Sequence, residues 1–253
     1  MELMFLGTGS AFCLTPGCYQ SNMVLTSASG RRLLIDCGSD IRFSLAAAGL
    51  VPRDISDIYI SHLHADHVGG LEYMGFSSRF GLPPFSMGLI ANEVVMRDLW
   101  THSLYGGMSM TDGDDCTLAD FFTPCPVDTS GLFEWEGLEI ELVPTRHVTG
   151  KHDIMFSYGL FFRVGTTTVF LTTDTVFAPK DLARYLEQAD LVFHDCETIA
   201  QATGVHAHYR ELVELPAAIK AKTWLYHYND GNRPDPHVDG FQGFVRTRET
   251  FRL

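Results

Sequence analysis

Long apolar runs, closely spaced cysteine pairs, positive charge and internal repeats are all scarce in this chain, and each shortage removes a class of protein. The longest uncharged apolar stretches, such as MFSYGLFF at 155–162, fall far short of the roughly 20 residues that a membrane-spanning helix needs. The opening MELMFLGTGSAF has neither a basic n-region nor an apolar run of signal-peptide length, so a cytoplasmic protein is expected. The six cysteines, at 13, 18, 37, 116, 125 and 196, include no CxxC pair. In a reducing compartment they are expected as free thiols, with Cys37 and Cys196 close to the chemistry described below. Lys and Arg number 18 against 31 Asp and Glu, a net charge of −13. Backbone contacts to nucleic acid need clustered cations, which argues against a generic nucleic-acid binder. A small anion held by metal ions is still compatible with that charge. No GxSxG elbow supplies a side-chain nucleophile. The GTGS turn at 7–10 is not followed by GK[ST], so it is no nucleotide P-loop.

What remains is a globular chain. Its 253 residues are 45% hydrophobic, with 18 Phe, 9 Tyr and 3 Trp, which excludes disorder. The length suits one large domain or two fused halves, burying roughly 70–75% of the unfolded surface. Residues 2–6, 21–27 and 31–36 read as strands, the last ending in the turn Asp36-Cys37-Gly38. Helices are expected at 40–49, from Asn92 to about Thr101, near 180–187 and at 207–220. Further strands are expected at 55–60, in MGLIA, GLEIELVP, IMFSYGLFFRVG and TTTVFLTTD, and at 191–195 and 223–228. This order predicts an α/β (α+β) chain: an αββα sandwich of two mixed sheets flanked by helices, in one domain over 1–253. Residues 104–131, rich in Gly, Asp and aromatics with weak periodicity, are expected as an insertion serving as a lid or dimer contact.

Three of eleven histidines lie within six residues, His62-Leu63-His64-Ala65-Asp66-His67, on a strand-to-helix turn. So many polar heads in one place are costly without a shared partner, and imidazoles with a carboxylate suit Zn²⁺, with Mn²⁺, Fe or Ni²⁺ as alternatives. One short loop cannot complete two coordination spheres. Later strand ends offer His147, Asp174 and His227, making seven candidate ligands with Asp66.

At these residues the chain resembles the metallo-β-lactamase superfamily, and within it the ribonuclease Z-like phosphodiesterase branch. The matching blocks are LGTGSA at 6–11, LLIDCG at 33–38, HLHADHVGG at 62–70, His147 followed by SYG at 157–159, TTDT around Asp174, ADLVFHD at 189–195 and LYHY around His227. They run in order along nearly the whole chain, and the HxHxDH block is the most specific. The resemblance implies two divalent metal ions, zinc with manganese as the alternative. His62, His64 and His147 would hold one, Asp66, His67 and His227 the other, and Asp174 would bridge them. Such a pair, roughly 3.5–4 Å apart, activates a water and neutralises phosphodiester oxygens; Asp66 would also orient that water.

The block GVHAHYRELVELP at 204–216 matches the branch's leaving-group acid, a His ahead of a helix and held by an acidic residue. His206 aligns with that acid, being followed by Arg210-Glu211. His208 stands where the family has a small hydroxyl residue, so the choice between His206 and His208 stays open. Asp195 takes the acidic partner's place, where the family more often has Glu. His102, His152 and His237 read as ordinary loop residues, and His194 as a neighbour of the site.

Between Val68 and Arg146 stand three basic residues against twelve acidic ones, a net charge of −9, just where tRNA-maturing relatives carry a basic arm. Large RNA is therefore disfavoured. The compact form is similar instead to small-phosphodiester hydrolases, including the anti-Pycsar type of cyclic nucleotide phosphodiesterase, with which bacterial viruses destroy cyclic-nucleotide alarm signals. The resemblance implies a small phosphodiester or 3′,5′-cyclic nucleotide as substrate, a homodimer, no membrane partner, and the host cytoplasm if a virus encodes the chain. The alternatives are a tRNA 3′-end endonuclease, a lactone or thioester hydrolase of the same fold, and a nucleotide-sequestering protein; the complete ligand set weighs against the last.

Overall fold

A computed structural model describes residues 1–253 and divides them into two compact units. The first comprises residues 1–7, 19–131 and 248–252, and the second 8–18, 132–247 and 253.

The first unit is built on a seven-stranded sheet in the order Thr250–Arg252, Glu2–Phe5, Met23–Thr26, Arg32–Ile35, Asp57–Ile60, Gly88–Asn92, Thr123–Val127. Its first three pairings are antiparallel and its last three parallel. The parallel strands are near-continuous apolar runs, as burial on both faces demands: Leu33, Leu34, Ile35, Ile58, Tyr59 and Ile60 are fully buried. Helices Ile41–Ala47, Leu71–Phe80 and Glu93–Leu99 accompany them, the last capped by the Asn92 side chain, which accepts from the Val94 amide at 3.0 Å. Part of the expected insertion is sheet: Thr123–Val127 pairs in parallel with Gly88–Asn92 at the edge. Pro124 and Pro126 hid this strand, because proline is tolerated only at a sheet edge.

The second unit repeats the scheme. Its sheet runs Gly243–Phe244, Thr223–Tyr226, Leu191–Asp195, Thr167–Leu171, Ile154–Val164, Leu138–Thr149, Leu132–Trp135. The first three pairings are parallel and the last three antiparallel. Val143, Phe170, Val192, Leu212 and Leu225 centre its core; each fully buried aliphatic side chain contributes about 1.5–3 kcal/mol. The helix expected over 207–220 is two short pieces, Tyr209–Leu212 and Ala217–Lys220. Pro216, which lacks an amide proton, separates them.

Four of the six cysteines are free, as expected, but Cys13 and Cys18 form a disulfide. The 10–18 loop doubles back through Cys13 N–H to Ser10 O (3.1 Å) and Cys18 N–H to Thr15 O (2.9 Å), which brings the two Cα atoms to 6.5 Å, within bridging range. The expectation of reduced thiols throughout fails because spacing alone does not reveal such a fold-back. Burial pushes the Cys37 and Cys196 thiols well above their ordinary pKa, so both are inert packing groups rather than chemistry. No helix is long and apolar enough to cross a membrane.

Candidate metal centre

Asp36, His62, Asp174, Asp195 and His227 lie at or just past the C-terminal ends of parallel-paired strands, where open α/β sheets bind ligands, whereas His147 comes from an antiparallel strand. In the first unit, the strand Arg32–Ile35 ends at Asp36, and Asp57–Ile60 ends at Ser61 and His62. Asp36 sits at φ 60°, a left-handed conformation that costs a non-glycine residue about 1–3 kcal/mol. Its carboxylate then faces sideways, accepting from the Ser61 amide and hydroxyl, both at 2.8 Å, and from His67 Nδ1 at 2.7 Å. The Ser61 hydroxyl in turn accepts from His62 Nδ1 at 3.0 Å. One buried carboxylate thus holds two imidazoles in the Nδ1–H tautomer, presenting Nε2 of each as a lone pair.

The HxHxDH turn requires close backbone approach. Cys37 N–H donates to His67 O at 2.7 Å, and Gly70 N–H to Cys37 O at 2.9 Å. A Cβ on Gly38 would run into the Asp66 carbonyl, and one on Gly70 into the Gly38 carbonyl. His62 Nε2 lies 3.1 Å from His64 Nδ1, and His67 Nε2 lies 3.3 Å from Asp66 Oδ2.

In the second unit, His147 lies at a register shift between Arg146 and Val148 in its strand, a bulge that re-aims the side chain. His147 Nδ1 donates to Val205 O at 2.8 Å. Burial lowers its pKa, outweighing the attraction of Asp174, and keeps the ring neutral and able to ligate. Asp174 and His227 follow the strands Thr167–Leu171 and Thr223–Tyr226; Thr173 and His227 are left-handed like Asp36, at φ 53° and 61°. Asp174 Oδ2 stands 3.6 Å from His147 Nε2 and 3.6 Å from His227 Nε2. These separations are too long for hydrogen bonds. They suit donors that share a cation, since two ligands at about 2.0–2.1 Å from a tetrahedral metal lie roughly 3.4 Å apart. The donor spacings within each unit therefore fit metal ions.

Asp195, fully buried, accepts from His206 Nδ1 at 2.8 Å and from the Thr175 amide at 2.9 Å, while its other oxygen lies 3.4 Å from His227 Nδ1. Burial opposes its ionised form, but His206 and then His227 prevail and hold its carboxyl below the usual range. His206 shows the reciprocal effect: burial favours the neutral ring, and the charge and hydrogen bond of Asp195, with Asp174 behind it, outweigh that and raise its pKa. The His206 ring is thus anchored through Nδ1 on Asp195, which favours its protonated form.

His208 stands otherwise. Its Nε2 donates to Ile199 O at 2.8 Å and its Nδ1 accepts from the Arg210 amide at 3.2 Å, capping the helix Tyr209–Leu212. Both ring nitrogens are committed to backbone, so His208 is a structural cap and not placed as a proton donor. His194 is buried, with Nδ1 donating to the Asp195 carbonyl at 2.7 Å, and burial lowers its pKa. His102, His152 and His237 are exposed. Sequence reasoning missed the role of Asp36, although LLIDCG carried it. Asp36→Asn should weaken metal affinity about 10–100-fold, the usual effect of losing a group that orients a ligand. Titration of the purified variant with zinc against a chromogenic chelator would measure it; unchanged affinity would remove Asp36 from the site.

Two sheets with histidines and aspartates at their strand ends define a protein class, the metallo-β-lactamase fold. The metallo-β-lactamase fold protein YhfI from Bacillus subtilis superposes with a TM-score of 0.76 over 99% of this chain and 98% of that one, at 15% identity. Within that class, the profile of the family "Anti-Pycsar protein Apyc1" matches residues 1–251. The anti-Pycsar protein Apyc1 of Paenibacillus harenae is 34% identical over 245 residues, 96% of this chain and 93% of that protein. The one from Bacillus phage BSP38 is 35% identical over 236 residues, 90% and 89%. The chain belongs to the anti-Pycsar Apyc1 family.

Proposed function

We propose that the chain is a dinuclear metal-dependent phosphodiesterase that opens 3′,5′-cyclic nucleotides. His62, His64 and His147 would hold one divalent cation and Asp66, His67 and His227 the other, with Asp174 available to both; zinc suits these N and O donors best, and manganese next. When bound, the metals supply charge neutralisation at the phosphate and an activated water. The remaining steps belong to the chain. Asp66 would orient the attacking water, and Asp36 and the Val205 carbonyl keep the imidazoles in the right tautomers. His206 gives its Nε2 proton to the departing ribose oxygen while Asp195 stabilises the imidazolium.

The observation that carries this reading is the His206–Asp195 pair at 2.8 Å, lining a cleft beside His227. A protonated, anchored imidazole is needed to expel a ribose oxygen, a poor leaving group, and matters less for a lactone or thioester. Membership in a family named for counteracting Pycsar, a cyclic-nucleotide alarm, supports the same substrate. Charge supports a small one. All three basic residues of the 68–146 stretch are neutralised: Arg79 by Asp114 at 2.8 Å, Arg97 by Asp98 at 2.8 Å and Arg146 by Asp181 at 2.9 Å. No cation of that stretch is left over to track an RNA backbone. The reading also takes the chain as a cytoplasmic homodimer, with the 104–131 segment, where Tyr105 and Met110 are exposed, as lid or dimer contact.

The test is a substrate panel. Metal-loaded protein should open 3′,5′-cyclic mononucleotides, lose that activity to a chelator, and regain it with zinc or manganese. Cyclic dinucleotides, an aryl phosphodiester, a lactone and pre-tRNA complete the panel. Cleavage of pre-tRNA alone, or of the lactone without any phosphodiester, would overturn the proposal.

A further inference from the structure

The cleft that His206 and His227 line has a volume of about 330 Å³ and lies within the second unit. That is the low end of small-molecule sites, roughly 300–1,000 Å³, so it suits a mononucleotide rather than a longer chain. Away from the two histidines its apolar wall is Ala11, Phe12, Ile199 and Val205. Phe12 is the one carbocyclic aromatic on that wall, and 87% of it is exposed.

The polar groups of the same wall are committed to one another. Asn229 Nδ2 donates to Ser10 Oγ at 3.1 Å, and its Oδ1 accepts from the Thr198 amide at 2.8 Å. The Glu197 carboxylate accepts from the Thr203 amide at 2.8 Å and hydroxyl at 2.7 Å. Asp230, which bonds the Leu14 and Thr15 amides of the loop that carries Phe12, makes that end of the cleft unfavourable for a phosphate. The anion therefore belongs at the His206 end, and the neutral part of the substrate lies along the Phe12 end.

Phe12 is also held in advance. Its loop is closed by the Cys13–Cys18 disulfide. It is pinned further by Ser10 N–H on Tyr228 O at 3.0 Å and by the Asp230 carboxylate, which accepts from the Leu14 and Thr15 amides and the Thr15 hydroxyl. The backbone that carries the exposed ring has therefore already lost freedom that binding would otherwise remove. We infer that Phe12 is the face on which the substrate's nucleobase stacks, with the disulfide and Asp230 as positioning groups behind it. This rests on the proposed phosphodiesterase reading.

The experiment compares a 3′,5′-cyclic mononucleotide with ribose 3′,5′-cyclic phosphate lacking a base. Phe12→Ala should raise KM for the nucleotide about tenfold, within the range of base–aromatic stacking, and leave kcat and the KM of the base-free diester unchanged. Phe12→Trp should retain the wild-type KM. The double substitution Cys13→Ser/Cys18→Ser should raise KM for the nucleotide alone, and add nothing once Phe12 is alanine, because it acts through that ring. An unchanged nucleotide KM in Phe12→Ala, or equal rises for both substrates, would overturn the stacking role and leave the phosphodiesterase standing. If the wild-type protein opened neither diester, the phosphodiesterase reading itself would fall.

Discussion

Replacing Asp66 by alanine is expected to lower kcat/KM for a cyclic nucleotide by about a thousandfold or more, since metal-borne charge stabilisation supplies several kcal/mol and each 1.36 kcal/mol is tenfold. Asp66 is buried in the first turn of the helix Ala65–Val68, with Oδ2 3.3 Å from His67 Nε2. Alanine removes a donor from one cation's set while His67 stays in place through Asp36. The variant should therefore keep its circular dichroism and lose metal stoichiometry, which elemental analysis would measure beside the rate. Full metal content with a wild-type rate would sink the dinuclear assignment. Loss of both with an unfolded spectrum would be separated from it by His64→Ala, whose ring is only half-buried on the surface side of the same turn.

Replacing His206 by alanine should cost about 10²–10⁴-fold on a cyclic nucleotide, the usual worth of a general acid. The loss should shrink to a few-fold on a p-nitrophenyl diester, whose leaving group needs no proton. Asp195→Asn should follow in direction, because an amide cannot stabilise the imidazolium that Asp195 supports at 2.8 Å. His208→Ala should do something else: lower stability by about 0.5–2 kcal/mol, the cost of a lost helix cap, with the rate per folded molecule retained. Melting curves beside the two-substrate kinetics would separate these cases. Equal losses on both leaving groups in His206→Ala would remove its role as acid.

The candidate ligands of the first unit, His62, His64, Asp66 and His67, were legible because all four lie within six residues, so the strand-to-helix turn brings them together whatever surrounds it. The central strands of both sheets were legible for a similar local reason, their short apolar runs, whereas edge strands such as Thr123–Val127 and Gly243–Phe244 carry no such run and were not. The choice between His206 and His208 was not. The two rings are two residues apart and chemically identical; what separates them is that Asp195 reaches one and the Ile199 carbonyl the other. Asp36 lies 31 residues from His67, and the contact exists only because parallel pairing of Arg32–Ile35 with Asp57–Ile60 sets both strand ends side by side.

By itself the sequence determined the class of fold, the cluster of candidate ligands at 62–67 and the acidity of the chain, because each depends on composition or on neighbours along the chain. Only the tertiary structure decided that His206 is the one paired with Asp195 while His208 caps a helix, that the Asp36 carboxylate holds His67, that Cys13 and Cys18 are bridged, and that an exposed phenylalanine borders the cleft. Those depend on sheet register and on loops closing over many residues, where a shift of one position would turn each side chain to the other face.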